Sequence, residues 1–130
     1  MTPLLKRETQ PREPMTRVVV EKTALLETLD NDPQLLREVI GIFLADCPGK
    51  LAELRAAIIA GDPDRIANSS HSLRGSVATF GAQKAVEVAQ KLESMGRQRQ
   101  LEGAAEAFSV LEREMALVTS ALAEIAKEAF

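Results

Sequence analysis

His71 is the only imidazole in this 130-residue chain, and its single thiol is Cys47. Those two counts limit the chemistry. One Cys forms no internal disulfide, and one His with one Cys does not supply the usual zinc ligand sets, so no metal site is expected. A Ser–His–Asp or Cys–His mechanism would have to run through His71. A lone imidazole has one further option. In its neutral form it is itself a nucleophile and can attack phosphorus through one ring nitrogen. The product is a phosphoramidate, reactive enough to pass the phosphoryl group onward. The requirements are exposure, a ring that titrates near neutrality, and a cation for the phosphoryl oxygens.

The segment Ser70-His71-Ser72-Leu73-Arg74-Gly75 can meet them if it is helical. With Ile66 as the origin and 100° per residue, Leu73, Val77 and Phe80 fall within roughly 40° of it. His71 falls at roughly 140°, on the far side from that apolar stripe. Its helical neighbours Ala67, Gly75 and Ala78 are small. Arg74, one turn on, can reach the same surface. A glycine inside a helix is unfavourable by roughly 0.5–1 kcal/mol relative to Ala. Gly75 therefore implies either a partner that approaches the backbone closely or tight packing against a neighbouring helix. The competing reading of His71 is a solvated surface histidine with no role.

The rest of the composition sets the frame. The chain is 45% hydrophobic and 27% charged, which suits one folded domain. A net charge of −3, no Trp or Tyr and only 4 Phe argue against a nucleic-acid partner. No segment is long and apolar enough for a signal peptide or a membrane span. A cytoplasmic setting is expected. Residues 1–16 are rich in proline and charge and read as a tail or linker. The domain should occupy 17–130.

Four apolar seams must position the histidine. Val18, Val19 and Val20 read as an extended lead-in, and Glu21 to Leu29 as a short first helix. Asp32-Pro33 and Gly61-Asp62-Pro63 are helix boundaries, with Asp as cap and Pro in the first helical position. Between them Leu36, Ile40, Phe43, Cys47, Leu51, Leu54 and Ile58 form one seam, and Pro48 should kink or split that helix. Ile66, Leu73, Val77 and Phe80 form the second seam, closed by Gly81. Ala85, Val88, Leu92 and Met95 form the third, which should end near Gly96. The last runs from Leu101 through Ala104, Phe108, Leu111, Met115, Val118, Leu122 and Ile125 to Ala129, on the order of 40 Å. Short connections make neighbours antiparallel. The expected fold is all-α, an up-down four-helix bundle with a short extra N-terminal helix. A coiled-coil dimer through the last helix is the alternative.

His71-Ser72-Leu73-Arg74-Gly75-Ser76, then Phe80-Gly81-Ala82 and Leu92-Glu93, resembles the histidine-containing phosphotransfer (HPt) domain of two-component phosphorelays. The likeness extends upstream through Asp32-Pro33, Phe43, Pro48 and Ala57-Ile58 before Gly61-Asp62. It implies the same bundle with its extra helix. By position, His71 matches the phosphorylated histidine and Gly75 the small residue that lets a receiver's aspartate come close. Arg74 stands where the family usually has Lys, and its planar head differs from an ammonium. Glu93 and Arg97 fall where side chains of the next helix lie near the histidine in some members. Gly75, Ala67, Ala78, Glu93 and Arg97 are thus the expected partner-docking positions.

The resemblance further implies a phosphoryl carrier without kinase machinery. His71 would accept the group from a receiver phospho-aspartate and return it to another receiver. Response-regulator receiver domains and a hybrid histidine kinase are the implied partners. The chain itself needs no cofactor, Mg²⁺ being expected on the receiver, and a monomer is expected. Two other readings stand beside it: the dimerising segment of a histidine kinase, and a helical scaffold with an incidental surface histidine.

Overall fold

The computed structural model describes residues 20–128. The expected tail over 1–16, together with Val18, Val19 and Ala129, lies outside them. The described chain forms α1 (Lys22–Thr28), α2 (Pro33–Ala60), α3 (Pro63–Ala78), α4 (Gln83–Gln98) and α5 (Ala104–Glu128). No strand occurs among the described residues. The helices α2 to α5 pack in sequence, α5 closes back onto α2, and α1 rests on α2. This is the expected four-helix bundle with a short extra helix. No helix of the described residues is long and apolar enough to cross a membrane.

The punctuation works as polar chemistry predicts. Asp32 Oδ1 accepts from the Gln34 and Leu35 backbone N–H groups, both at 3.1 Å, and Pro33 opens α2. Asp62 caps α3 in the same way through the Arg65 N–H. Gly61 closes α2 with φ +64°, in the left-handed region that glycine tolerates. Helix α2 runs unbroken across Pro48, so the split into two segments does not occur.

The apolar seams meet in one core. Leu36, Ile40, Leu54, Ile66, Leu73, Val77, Leu92, Leu111 and Leu122 are completely buried, and Phe43 meets Phe80 edge-on at 5.0 Å. Val20 packs on this core from the N-terminal side, with Leu26 and Leu29. The stripe of α5 is buried from Ala104 to Ile125 within the same chain. The apolar surface that would drive a coiled-coil dimer is therefore already covered.

One further detail concerns the α3–α4 contact. Helix α4 ends close to Gly96, as expected. Its last residue is Gln98, and it is capped by Arg99 in the left-handed conformation. Gly96 is a packing glycine: a Cβ there would lie 2.6 Å from the Pro63 carbonyl oxygen and 2.7 Å from the Ala67 nitrogen. Both are backbone atoms and cannot turn aside. Gly96→Ala should therefore lower stability by about 1–3 kcal/mol, more than the helix gains from losing a glycine. A thermal melt checks this, and an unchanged or raised Tm would contradict the tight contact.

Candidate functional site

His71 stands on the solvent side of α3, with 61% of its side chain exposed. The helical-wheel expectation holds because Ile66, Leu73 and Val77 on the opposite face are fully buried. Helices α2 and α4 flank α3 on its two sides. The α4 side carries the chemistry.

Glu93 projects from α4 beneath the imidazole, and only 10% of its side chain is exposed. Its Oε2 lies 3.1 Å from His71 Nδ1. Arg74 Nε donates to Glu93 Oε1 at 2.9 Å. Arg97, one turn further along α4, donates to Oε2 through Nη2 at 2.7 Å and through Nε at 3.2 Å. Burial alone would push the Glu93 carboxyl up. The Arg97 and His71 hydrogen bonds and the Arg74 charge outweigh it and hold the group below the usual carboxylate range. Glu93 is thus an ionised, buried carboxylate with two guanidinium partners.

That carboxylate decides what the imidazole can do. Nδ1 faces Glu93 Oε2, and Arg74 Nη2 also lies 3.0 Å from it. A neutral ring satisfies only one of the two. It donates an Nδ1 proton to Glu93, or it accepts from Arg74 with the proton on Nε2. The first tautomer leaves the Nε2 lone pair free toward solvent, and the ionised Glu93 favours it. In that state Arg74 keeps its bond to Glu93 and releases Nδ1, which frees Nη2 for an anion on the ring. Because the Glu93 pKa is depressed in the fold, its contribution to stability is present above the unfolded value of about 4.3. It is lost as pH falls through the lower folded value. The Tm of the native protein should therefore drop more steeply below about pH 4 than that of Glu93→Gln, and parallel acid limbs would contradict the assignment.

The expected docking positions divide. Gly75 and Ala78 are exposed on the His71 face. A Cβ on Gly75 would meet nothing within 4 Å, so the helix-packing explanation of this glycine falls away. Ala67 is corrected: it is 4% exposed and packs against Gly96 of α4, because its small side chain sits at the helix crossing. Glu93 is also corrected, from a docking surface to a buried anchor beneath the ring, since three cationic or imidazole partners draw it inward. Arg97 remains 56% exposed while pinned to Glu93.

One surface lies outside the sequence motifs. Ile42 of α2 is 64% exposed and lines an apolar groove with Val39, Phe43, Ser76, Thr79 and Phe80. The groove borders the Gly75–Ala78 stretch of α3. Its signal was an isoleucine next to Gly41, off the α2 seam.

Known proteins agree with this architecture. The sequence matches the Hpt domain over residues 38–125. The fold is similar to that of histidine-containing phosphotransfer protein B (HptB) from Pseudomonas aeruginosa PAO1. That match has a TM-score of 0.78 and 23% identity, and covers 85% of this chain and 96% of that one. A search of curated proteins finds no match. The domain match spans more than half of the 130 residues and includes His71, Glu93 and the bundle around them, and so the chain belongs to the Hpt domain family.

Proposed function

We propose that this chain carries phosphoryl groups on Nε2 of His71, taking them from a phospho-aspartate of one receiver domain and passing them to the aspartate of another. Its family serves histidine phosphotransfer in phosphorelays. The observation that carries the finer reading is the anchoring of Nδ1 on buried Glu93, which leaves Nε2 free on an exposed face.

In this reading the Nε2 lone pair attacks phosphorus in line with the aspartyl oxygen. The N–P bond forms as the O–P bond breaks, and the aspartate leaves as carboxylate with the electron pair. The ring becomes an imidazolium, still protonated on Nδ1. The Glu93 carboxylate lies 3.1 Å from that nitrogen and stabilises the new charge. The reverse reaction returns the group. Mg²⁺ belongs on the receiver in this scheme. The chain contributes the nucleophile, its orientation and the docking face. That face runs from His71 along Gly75 and Ala78 to the groove beside Ile42, where no large side chain of α3 stands in the way.

Incubation with a phosphorylated receiver and Mg²⁺ tests the proposal. Label should move to this chain, and then to a second, unlabelled receiver. ATP alone should give none. Labelling that requires an ATP-binding kinase domain would favour the kinase-segment reading, and no labelling from any receiver would favour a scaffold.

A further inference from the structure

We propose that Lys50 of α2 is a second cation for the phosphoryl group on His71, acting from the side of α3 opposite Arg74. The inference rests on the phosphotransfer reading and adds to it a residue outside the histidine motif.

The first observation is the direction in which the charges on the α4 side are turned. Arg97 points both Nε and Nη2 at Glu93 Oε2, and the ring's Nδ1 faces the same oxygen. Arg74 gives Nε to Glu93 and has Nη2 left for the phosphoryl oxygens. A phosphoryl group near neutral pH brings three strong acceptor oxygens and between roughly one and a half and two negative charges. One guanidinium nitrogen leaves acceptors over for a second cation.

The second observation is the state of Lys50. Its Nζ donates to Ser72 Oγ at 2.6 Å, and Ser72 directly follows His71. Lys50 makes no ion pair among the described residues. Lys50 lines a groove between α2 and α3, distinct from the one beside Ile42, with Asp46, Gly49, Glu53, Ser69 and Ser72. Glu53 is engaged by Arg65 at 3.2 Å, and Lys50 bonds to neither carboxylate. A half-buried lysine is thus held next to the phosphoacceptor by a neutral hydroxyl. Such a bond to a neutral acceptor is readily exchanged for one to an anionic phosphoryl oxygen, where both partners are charged.

Geometry places the two cations on both flanks of the ring. Around α3, Arg74 lies roughly 60° to one side of His71 and Ser72 roughly 100° to the other. Arg74 leans toward α4, where it meets Glu93, and Lys50 reaches Ser72 from α2. Four rotatable bonds let the ammonium swing from Ser72 Oγ to a phosphoryl oxygen on the adjacent residue. No helix stands between them.

The consequence is a longer-lived phosphohistidine. The phosphoryl group sheds negative charge in a loose transition state. A cation on its oxygens therefore holds the ground state more strongly than the transition state for hydrolysis.

The test uses the full chain and phosphoramidate as donor, from which the imidazole displaces ammonia, so that no receiver enters the readout. Phosphohistidine half-life is followed by ³¹P NMR, and Tm is measured on the same samples. Lys50→Met should shorten the half-life roughly three- to tenfold, and Lys50→Arg should restore most of it. Ser72→Ala should leave it unchanged, because Ser72 only holds the resting lysine. Equal half-lives for wild type and Lys50→Met would overturn the proposal. Parallel losses in Lys50→Met and Ser72→Ala that track Tm would reduce the pair to helix packing. A wild-type chain that takes no label on His71 would instead overturn the phosphotransfer reading beneath it.

Discussion

His71→Gln should abolish phosphoryl label on this chain while leaving its melting nearly unchanged. The side chain is 61% exposed and contributes nothing to the core. Glutamine also offers an amide N–H that can reach Glu93, so the buried carboxylate keeps a donor in place of Nδ1. Substitutions at such positions usually stay within about 0.5 kcal/mol. Label on the wild type should be acid-labile and alkali-stable, as a phosphoramidate is. Label that survives acid, or that persists on the variant, would place the phosphoryl group on another residue and refute the assignment.

Gly75 should show folding and function moving in opposite directions. The helix is continuous through it, and a Cβ there meets open space. Gly75→Ala should therefore raise stability by about 0.5–1 kcal/mol and affect transfer mildly. Gly75→Leu and Gly75→Glu should fold as well as the native chain, yet lower transfer from a receiver by about a hundredfold or more, the equivalent of roughly 3 kcal/mol of lost docking. The added side chain would fill the space one turn from His71, and Glu would also repel the phosphoryl group. Direct labelling by phosphoramidate should survive in Gly75→Leu, which separates docking from chemistry. A strongly destabilised Gly75→Leu protein, or one that accepts from a receiver at the native rate, would contradict this account.

The parts of the site readable in the sequence are those that one helix determines by itself. His71 faces away from Ile66, Leu73 and Val77 by helical periodicity alone, and the structure leaves it exposed. The Asp32-Pro33 and Asp62-Pro63 boundaries are equally local, resting on a side-chain cap and a fixed φ. The parts that were not readable are contacts between α3 and α4. The mid-helix glycines of α3 and α4 look alike in sequence. Only the crossing shows that Gly96 meets the backbone of Pro63 and Ala67 while Gly75 meets nothing. Ala67 shares the histidine's side of α3 on a single wheel, which does not show that α4 covers it.

Glu93 is the most consequential case. As one charge among many on α4 it fits a solvated face. Its spacing held a clue, since it lies four residues after Ala89 and three before Gly96, both buried. A carboxylate inside a buried stripe needs cations, and Arg97 is the i+4 partner. That Arg74 and His71 complete the shell from α3 follows only from the packing of the two helices. Pro48 illustrates the opposite limit, where the tertiary fold keeps a helix whole across a residue that locally disfavours it.

The most direct measurement is the identity of the phosphorylated nitrogen. The ¹⁵N-labelled chain, phosphorylated by a receiver, should give an NMR spectrum with phosphorus on Nε2 of His71 and a proton retained on Nδ1 against Glu93. Phosphorus on Nδ1, or on any residue other than His71, would contradict the arrangement in which Glu93 holds one nitrogen and leaves the other to react.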